Sequence, residues 1–341
     1  MSNATKKILI LGATGYIGGT FLDALWKHPL AQSFDITAYV RSPEKAKKCE
    51  QVLGLKTVSG PLSAVEEAAS KADIVLNFAS SDDLPLTEAV LAGAKKHFAS
   101  TGVPVALLHT SGTGIVTDKA LGRYAGEKIV DDADSDTINA LPVTQWHRNV
   151  DIPIVNAAKE GYVRTYIVYP GFVFGQATGK LVDLGIQNPC PTAAVAIARI
   201  GIARGQFGVV GPMNNIWNVV EVHDTIDLHM IIFNAIITGK QVPSGLDGHY
   251  VAENGFLAGK QYYPKIAEGL YVHGALKTPE VSEFTEAELA KIPMAAMFGT
   301  NSRTTSSRSR SIGWNPKVGP QEFLDGMKES MRVMVRLDKK Q

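Results

Sequence analysis

The run Gly12-Ala13-Thr14-Gly15-Tyr16-Ile17-Gly18 constrains this chain more than any other feature. It directly follows the apolar stretch Lys7-Ile8-Leu9-Ile10-Leu11 and opens a helical stretch over residues 17–26. A buried strand, a three-glycine turn and a helix, in that order, are the signature of a dinucleotide phosphate loop. Gly12 permits the tight turn, Gly15 lets backbone approach a pyrophosphate, and Gly18 lets helix and strand pack closely. The free N–H groups and the dipole at the helix start then meet the anion. Gly12, Thr14, Gly15, Tyr16, Ile17 and Gly18 are therefore candidate cofactor-binding residues. The plainer alternative is a tight turn with no ligand.

The same alternation continues for two-thirds of the chain. Apolar, β-branched runs predict strands at 34–40, 55–58, 73–78, 103–109 and 163–168, and helices fall at 45–53, 66–71 and 86–100. Continuous apolar strands alternating with helices imply a parallel sheet covered on both faces. After Pro170 the rhythm loosens. Residues 176–219 and 256–312 mix apolar helical runs with Gly, Pro and Ser, which suits a cap. Between them Glu221-Val222-His223-Asp224 opens a helix and His249-Tyr250-Val251-Ala252 reads as one more core strand. The expected class is α/β: a Rossmann doubly wound parallel sheet with a smaller, discontinuous C-terminal substrate-binding subdomain. Residues 1–175 plus 220–255 form the dinucleotide-binding domain, and 176–219 plus 256–341 form the cap. The basic, Ser/Thr-rich run 302–311 reads either as a flexible linker or as part of the folded stretch before Gly313-Trp314.

Composition removes several classes of function. With 341 residues, 45% hydrophobic and 20% charged, the chain is an ordinary globular one. A net charge of +1 argues against a nucleic-acid-binding face. Cys49 and Cys190 read as free thiols of a reducing compartment, with a disulfide as the alternative, and neither sits in a metal-ligand spacing. No apolar leader and no membrane-length run is visible, so a cytoplasmic location is expected. The expected partner is a small-molecule substrate, with a homodimer left open.

The 2′ position of the cofactor is also readable. A carboxylate ending the second strand would favour NAD, whereas this chain has Ala38-Tyr39-Val40-Arg41-Ser42-Pro43. Arg41 offers a planar fork for a 2′-phosphate, so NADP is expected over NAD. The alternative is a solvated arginine at an exposed helix start.

Gly12-Ala13-Thr14-Gly15-Tyr16-Ile17-Gly18 resembles the phosphate loop of the extended short-chain dehydrogenase/reductase superfamily, its epimerase/dehydratase-like branch. The resemblance extends through Asn77-Phe78-Ala79, His109-Thr110-Ser111-Gly112, Tyr169-Pro170-Gly171-Phe172-Val173-Phe174-Gly175, Val222-His223-Asp224 and Gly313-Trp314-Asn315-Pro316. It implies that Asn77, Ala79 and Pro170 lie beside the cofactor and that Ser111 is the catalytic-site hydroxyl. One departure is Gly60-Pro61-Leu62, where the family often carries Gly-Asp to hold the adenine amine.

The larger departure concerns acid/base chemistry. The family's Tyr-x-x-x-Lys helix corresponds to a helix read here at 141–159, which contains no tyrosine. With Asp151 as the family's acid, His147 takes the lysine position and Val143 the tyrosine position. An intact Tyr-x-x-x-Lys occurs earlier, at Tyr124 and Lys128, in a glycine-flanked stretch before the acidic run Asp131-Asp132-Ala133-Asp134, which reads as exposed. Catalytic candidates are therefore Ser111 with either Tyr124 and Lys128 or His147. His109 is expected to face away from Ser111. Asp82-Asp83 reads as a helix cap, and Trp146, Trp217 and Trp314 as core or seam residues. The resemblance implies an NADP(H)-dependent oxidoreductase or epimerase/dehydratase-like enzyme acting on a small carbonyl or alcohol. The alternative is a catalytically silent NAD(P)-binding redox sensor or regulatory protein, which the missing tyrosine favours.

Overall fold

Seven parallel strands form the central sheet of the computed structural model, which describes residues 5–338. They are β1 (Lys6–Leu11), β2 (Phe34–Tyr39), β3 (Lys56–Val58), β4 (Ile74–Asn77), β5 (Val105–Thr110), β6 (Val163–Pro170) and β7 (His249–Ala252). Their spatial order is β7-β6-β5-β4-β1-β2-β3, with every neighbouring pair parallel. The chain runs outward from β1 through β2 to β3 and then returns to β4 on the other side. Such a reversal opens a crevice at the carboxyl ends of β1 and β4.

Helices cover both faces, as unbroken apolar strands require: α1 (Tyr16–Trp26), α2 (Pro43–Leu53) and, later in the chain, α7 (Val222–Thr238) on one, and α3 (Leu62–Ser70), α4 (Leu84–Thr101) and α5 (Arg148–Lys159) on the other. Three more, α6 (Thr192–Arg204), α8 (Gly259–Val272) and α9 (Pro320–Asp338), pack in the cap. One face buries Ile8, Ile10, Phe21, Leu76 and Phe233; the other buries Leu9, Leu11, Val75, Leu107 and Ile154. This is the strict alternation of a strand buried on both sides. A third cluster packs Phe172, Phe207, Tyr263, Phe298 and Phe323 away from the sheet. Short strands join it: Phe172–Phe174, Ile216–Glu221 and Phe256–Ala258 form a small sheet, so this region is not built of helices and loops alone.

Of the two readings of 302–311 the folded one holds: Thr304–Thr305 pairs in parallel with Val130–Asp131, and Ser302, Thr304, Ser306 and Ser309 are buried. Three sequence expectations are corrected. The acidic run is not uniformly exposed. Asp132 is fully buried and accepts from the backbone N–H of Val251, Arg308 and Ser309, which satisfies the carboxylate inside the fold. The helix read at 141–159 begins only at Arg148, because His147 adopts a left-handed φ of 66° that no helix interior accommodates. Trp146 is 38% exposed and fills no core, whereas Trp314 is buried and donates Nε1–H to the Asp224 carbonyl.

Asp224 and Trp314 explain why two motifs ninety residues apart belong together. The Asp224 carboxylate accepts from the N–H of Lys317 and Val318, at 2.8–3.0 Å. The start of α7 thereby fixes the turn that leads into α9.

Candidate functional site

The phosphate loop behaves as its three glycines dictate. Gly12 has φ +80°, and a Cβ on it would meet the Phe78 carbonyl oxygen at 2.5 Å. A Cβ on Gly18 would lie 2.3 Å from the Gly12 carbonyl oxygen, so only glycine lets α1 approach β1 and β4 this closely. A Cβ on Gly15 meets only the Gly12 oxygen, at 3.1 Å, and its free side faces a groove. Gly15 caps α1 with no side-chain hydrogen bond, leaving the N-terminal dipole to whatever fills that groove.

The groove has a volume of about 560 Å³ and follows the carboxyl edge of the sheet. Its floor is Gly12, Thr14, Gly15 and Ile17; one end reaches Arg41 and Lys45, the other Thr110 and Ser111. Ala79 and its neighbours Ser80 and Ser81 form a side wall. Gly18, Asn77 and Pro170 are not among the lining residues and support the groove from behind. Asn77 is buried, and its side-chain oxygen accepts from the Ala79 N–H, setting the exit turn of β4. Thr192, at the start of α6, lines the groove from the far side. No local signal marked it, since only the fold brings residue 192 to residue 14.

Tyr16 lines the groove through a ring whose hydroxyl is committed elsewhere. It donates to the Phe174 and Gly175 carbonyls, both at 2.8 Å, and burial raises its pKa well above the ordinary phenol value. Gln187 donates to the Tyr16 carbonyl and to Thr20 Oγ1, and the Asn188 N–H reaches the Thr14 carbonyl. The segment after Gly175 thus clamps the phosphate loop, a contact between residues more than 150 positions apart that no pattern announced. Arg41 is exposed at the end of β2, beside Lys45. Pro61 serves as the N-cap of α3 and presents no polar side chain there.

At the opposite end, Ser111 follows β5, its N–H bonded to the Val168 carbonyl. Its Oγ lies 3.1 Å from Oδ2 of Asp151, which is fully buried on α5. His109 Nε2 lies 3.9 Å from Oδ1 of the same carboxyl. His109 therefore faces the same side as Ser111, contrary to expectation, because residues two apart on a strand share a face. Burial pulls His109 down to about 3 and pushes Asp151 up to about 7. Thr110 points to the opposite face, where its Oγ1 lies 2.9 Å from Nε2 of buried His229; Nδ1 of that ring is bonded to the Thr225 carbonyl.

His147, just before α5, is turned inward by its left-handed backbone. Its Nδ1 lies 2.9 Å from both Asp82 Oδ1 and Ser81 Oγ. The ionised carboxylate only accepts, so Nδ1 is the donor in that bond, and Nε2 is the ring nitrogen left without a hydrogen bond among the described residues. The bond holds the Asp82 pKa below the usual carboxylate range. Nε2 abuts Gly112 and Gly114, where an added Cβ would lie 3.1 and 2.9 Å away. Asp82 is thus the partner of His147, while Asp83 alone caps α4 through the Leu86 N–H. The position of Asp82 after β4 hinted at the cofactor mouth; its pairing with a histidine 65 residues on did not show.

Tyr124 and Lys128 do not join this constellation. Both are exposed on an irregular loop, so their i, i+4 spacing places them on no shared helix face. The Tyr124 carbonyl instead accepts from Asn301 Nδ2, beyond the sheet edge. Val143 is 60% exposed.

Residues 12–137 match the family model described as NAD(P)H-binding. Along 93% of its length the chain is 29% identical to an oxidase, ucsJ, of an Acremonium species, covering 94% of that protein. Among solved structures it is similar to the PbgP3 protein of Burkholderia pseudomallei, with a TM-score of 0.63, 17% identity and coverage of 97% of this chain and 98% of that one. It is also similar to UDP-glucose 4-epimerase of Thermotoga maritima, solved with UDP-glucose (TM-score 0.61, 14% identity, coverage 96% and 99%). A third is the Thermus thermophilus UDP-glucose 4-epimerase complex with NAD, at TM-score 0.59 and 18% identity, covering 96% and 99%.

Proposed function

We propose that this chain, whose fold is that of the UDP-glucose 4-epimerases it resembles, is an NADP(H)-dependent oxidoreductase of the extended short-chain dehydrogenase/reductase kind acting on a small carbonyl or alcohol. The observation that carries this reading is one continuous groove from the uncapped N-terminus of α1 to Ser111. Its size suits a dinucleotide, within the roughly 300–1,000 Å³ of small-molecule sites. Gly12, Thr14, Gly15, Tyr16 and Ile17 would hold the pyrophosphate, and Arg41 with Lys45 the 2′-phosphate. A bound nicotinamide supplies or accepts hydride. Ser111 meets the substrate oxygen, and His147, oriented by Asp82, exchanges the proton through Nε2. The test is titration with NADPH and NADH, followed by turnover of a carbonyl panel by wild type, Ser111→Ala and His147→Gln. Absence of dinucleotide binding refutes the reading.

A second reading, the silent sensor, draws on the groove's two tyrosines. Tyr16 spends its hydroxyl on Phe174 and Gly175, and Tyr39 on the Gly60 carbonyl. Tight dinucleotide binding with no turnover of any carbonyl or alcohol would select it.

A further inference from the structure

Ser111 rests on a carboxyl that is poorly provided with partners. Asp151 is fully buried; Oδ2 has the Ser111 hydroxyl and Oδ1 has no hydrogen-bond partner. His109, which faces Oδ1 from β5, is itself buried with both ring nitrogens unpartnered. The other ionisable groups around Asp151 are Tyr169 on β6, Arg148 and His147 at the start of its own helix, and Asp82 behind His147. Arg148 donates through Nε and Nη2 to the Leu141 and Asn139 carbonyls and keeps Nη1 unpartnered; its charge, like that of His147, favours the carboxylate without a hydrogen bond to it, and burial outweighs both. A buried carboxyl with so little compensation is held more cheaply neutral than charged.

We propose, resting on the reading of Ser111 as the residue that meets the substrate oxygen, that Asp151 is a positioning residue whose protonation sets the hydrogen-bond polarity Ser111 presents to the groove. A hydroxyl has one proton to direct. When Asp151 is a carboxylate, that proton is held on Oδ2 and Oγ offers the groove only lone pairs, which suits the hydroxyl of an alcohol substrate. When Asp151 is neutral, its proton sits on Oδ2 and is donated to Oγ. The Ser111 proton then turns into the groove, where it suits a carbonyl oxygen. The change consists of one proton bound at Oδ2 and a rotation about the Ser111 Cβ–Oγ bond. Burial pushes Asp151 up to about 7 and keeps His109 neutral, so the exchange falls near neutrality and the proton resides on the carboxyl.

Infrared absorption of the whole chain tests this without cofactor or substrate, so its outcome is separate from that of the oxidoreductase reading. A protonated-carboxyl stretch should be present at pH 5, disappear with a midpoint of about 7 and be absent from Asp151→Asn. In Ser111→Ala the band should remain but shift to higher frequency, because its hydrogen bond is lost. That comparison also decides the matter if Asp151→Asn fails to fold. In turnover, the comparison is made in His147→Gln, which removes the other titrating group: there the carbonyl-reducing rate should still fall about tenfold per pH unit above the midpoint, and it should become level when Asp151→Asn, whose amide donates permanently, is added. No titrating carboxyl band, or a band unmoved by Ser111→Ala, would overturn the proposal.

Discussion

Nδ1 of His147 and Oδ1 of Asp82 lie 2.9 Å apart, although 65 residues separate them in the chain. The contact joins the segment after β4 to the residue that starts α5, and it fixes which ring nitrogen carries the proton. We therefore expect His147→Gln to lower turnover by about 10²–10⁴-fold with cofactor affinity retained, the usual range for loss of an acid/base group. Asp82→Asn should lower it less, through loss of orientation. Tyr124→Phe, on its exposed loop, should be indistinguishable from wild type. A tenfold loss in Tyr124→Phe would move the acid/base role there.

Arg41 gives a second expectation. Arg41→Ala should weaken NADPH binding by about 1.5–3 kcal/mol, the worth of a hydrogen bond to a charged group, and leave NADH binding nearly unchanged. Calorimetric titration of both cofactors decides it; equal wild-type affinities would sink the 2′-phosphate assignment.

Gly15 and Gly18 should respond differently to the same substitution. Gly15→Val places its side chain toward the groove, so we expect a folded protein that no longer binds cofactor. Gly18→Val drives Cβ into the Gly12 carbonyl and should destabilise the fold by about 1–3 kcal/mol or more. Thermal unfolding and cofactor titration on the same two variants separate the effects.

Stability should fall as the solution is acidified. His109 is pulled down to about 3, and His229 and His249 to about 4, each mainly by burial. The unfolded chain binds these protons from about pH 6.5 downward while the folded one refuses them, so stability is lost progressively below that point. Asp151 acts with the opposite sign: its raised pKa removes stability as pH climbs from about 4 to about 7. Asp151→Asn should therefore gain stability relative to wild type with rising pH, as read from denaturant unfolding across pH.

Asp224→Ala should cost on the order of 2–4 kcal/mol, because it strips two backbone N–H groups, those of Lys317 and Val318, of their acceptor. Chemical denaturation measures this loss. A change below 0.5 kcal/mol, the size of an ordinary surface substitution, would show that water replaces the carboxylate there.

Local chemistry made much of this fold legible. Apolar strands separated by helices, and a glycine turn where backbone must pass backbone, are properties of neighbouring residues, so β1, the loop and α1 could be read directly from the chain. Ser111 was legible for the same reason, since it ends an apolar strand. The helix read from residue 141 failed because one left-handed residue, His147, overrides a helical pattern, and its ring is held by tertiary contacts, with Asp82 and Ser81 at Nδ1 and Gly112 and Gly114 against Nε2. His109 was misplaced by a misapplied alternation, although the information was present. The remaining features belong to tertiary structure alone. Asp82 with His147, Asp151 with Ser111 and His109, and Tyr16 with Gly175 are pairs whose members lie far apart in sequence and carry no local signature. A hydrogen bond or a desolvated carboxyl exists only once the chain has closed around it. The sequence by itself determined the strand–loop–helix order and the phosphate loop; the fold decided the groove above that loop and which polar side chains meet beside it, because burial and proximity are properties of the packed chain.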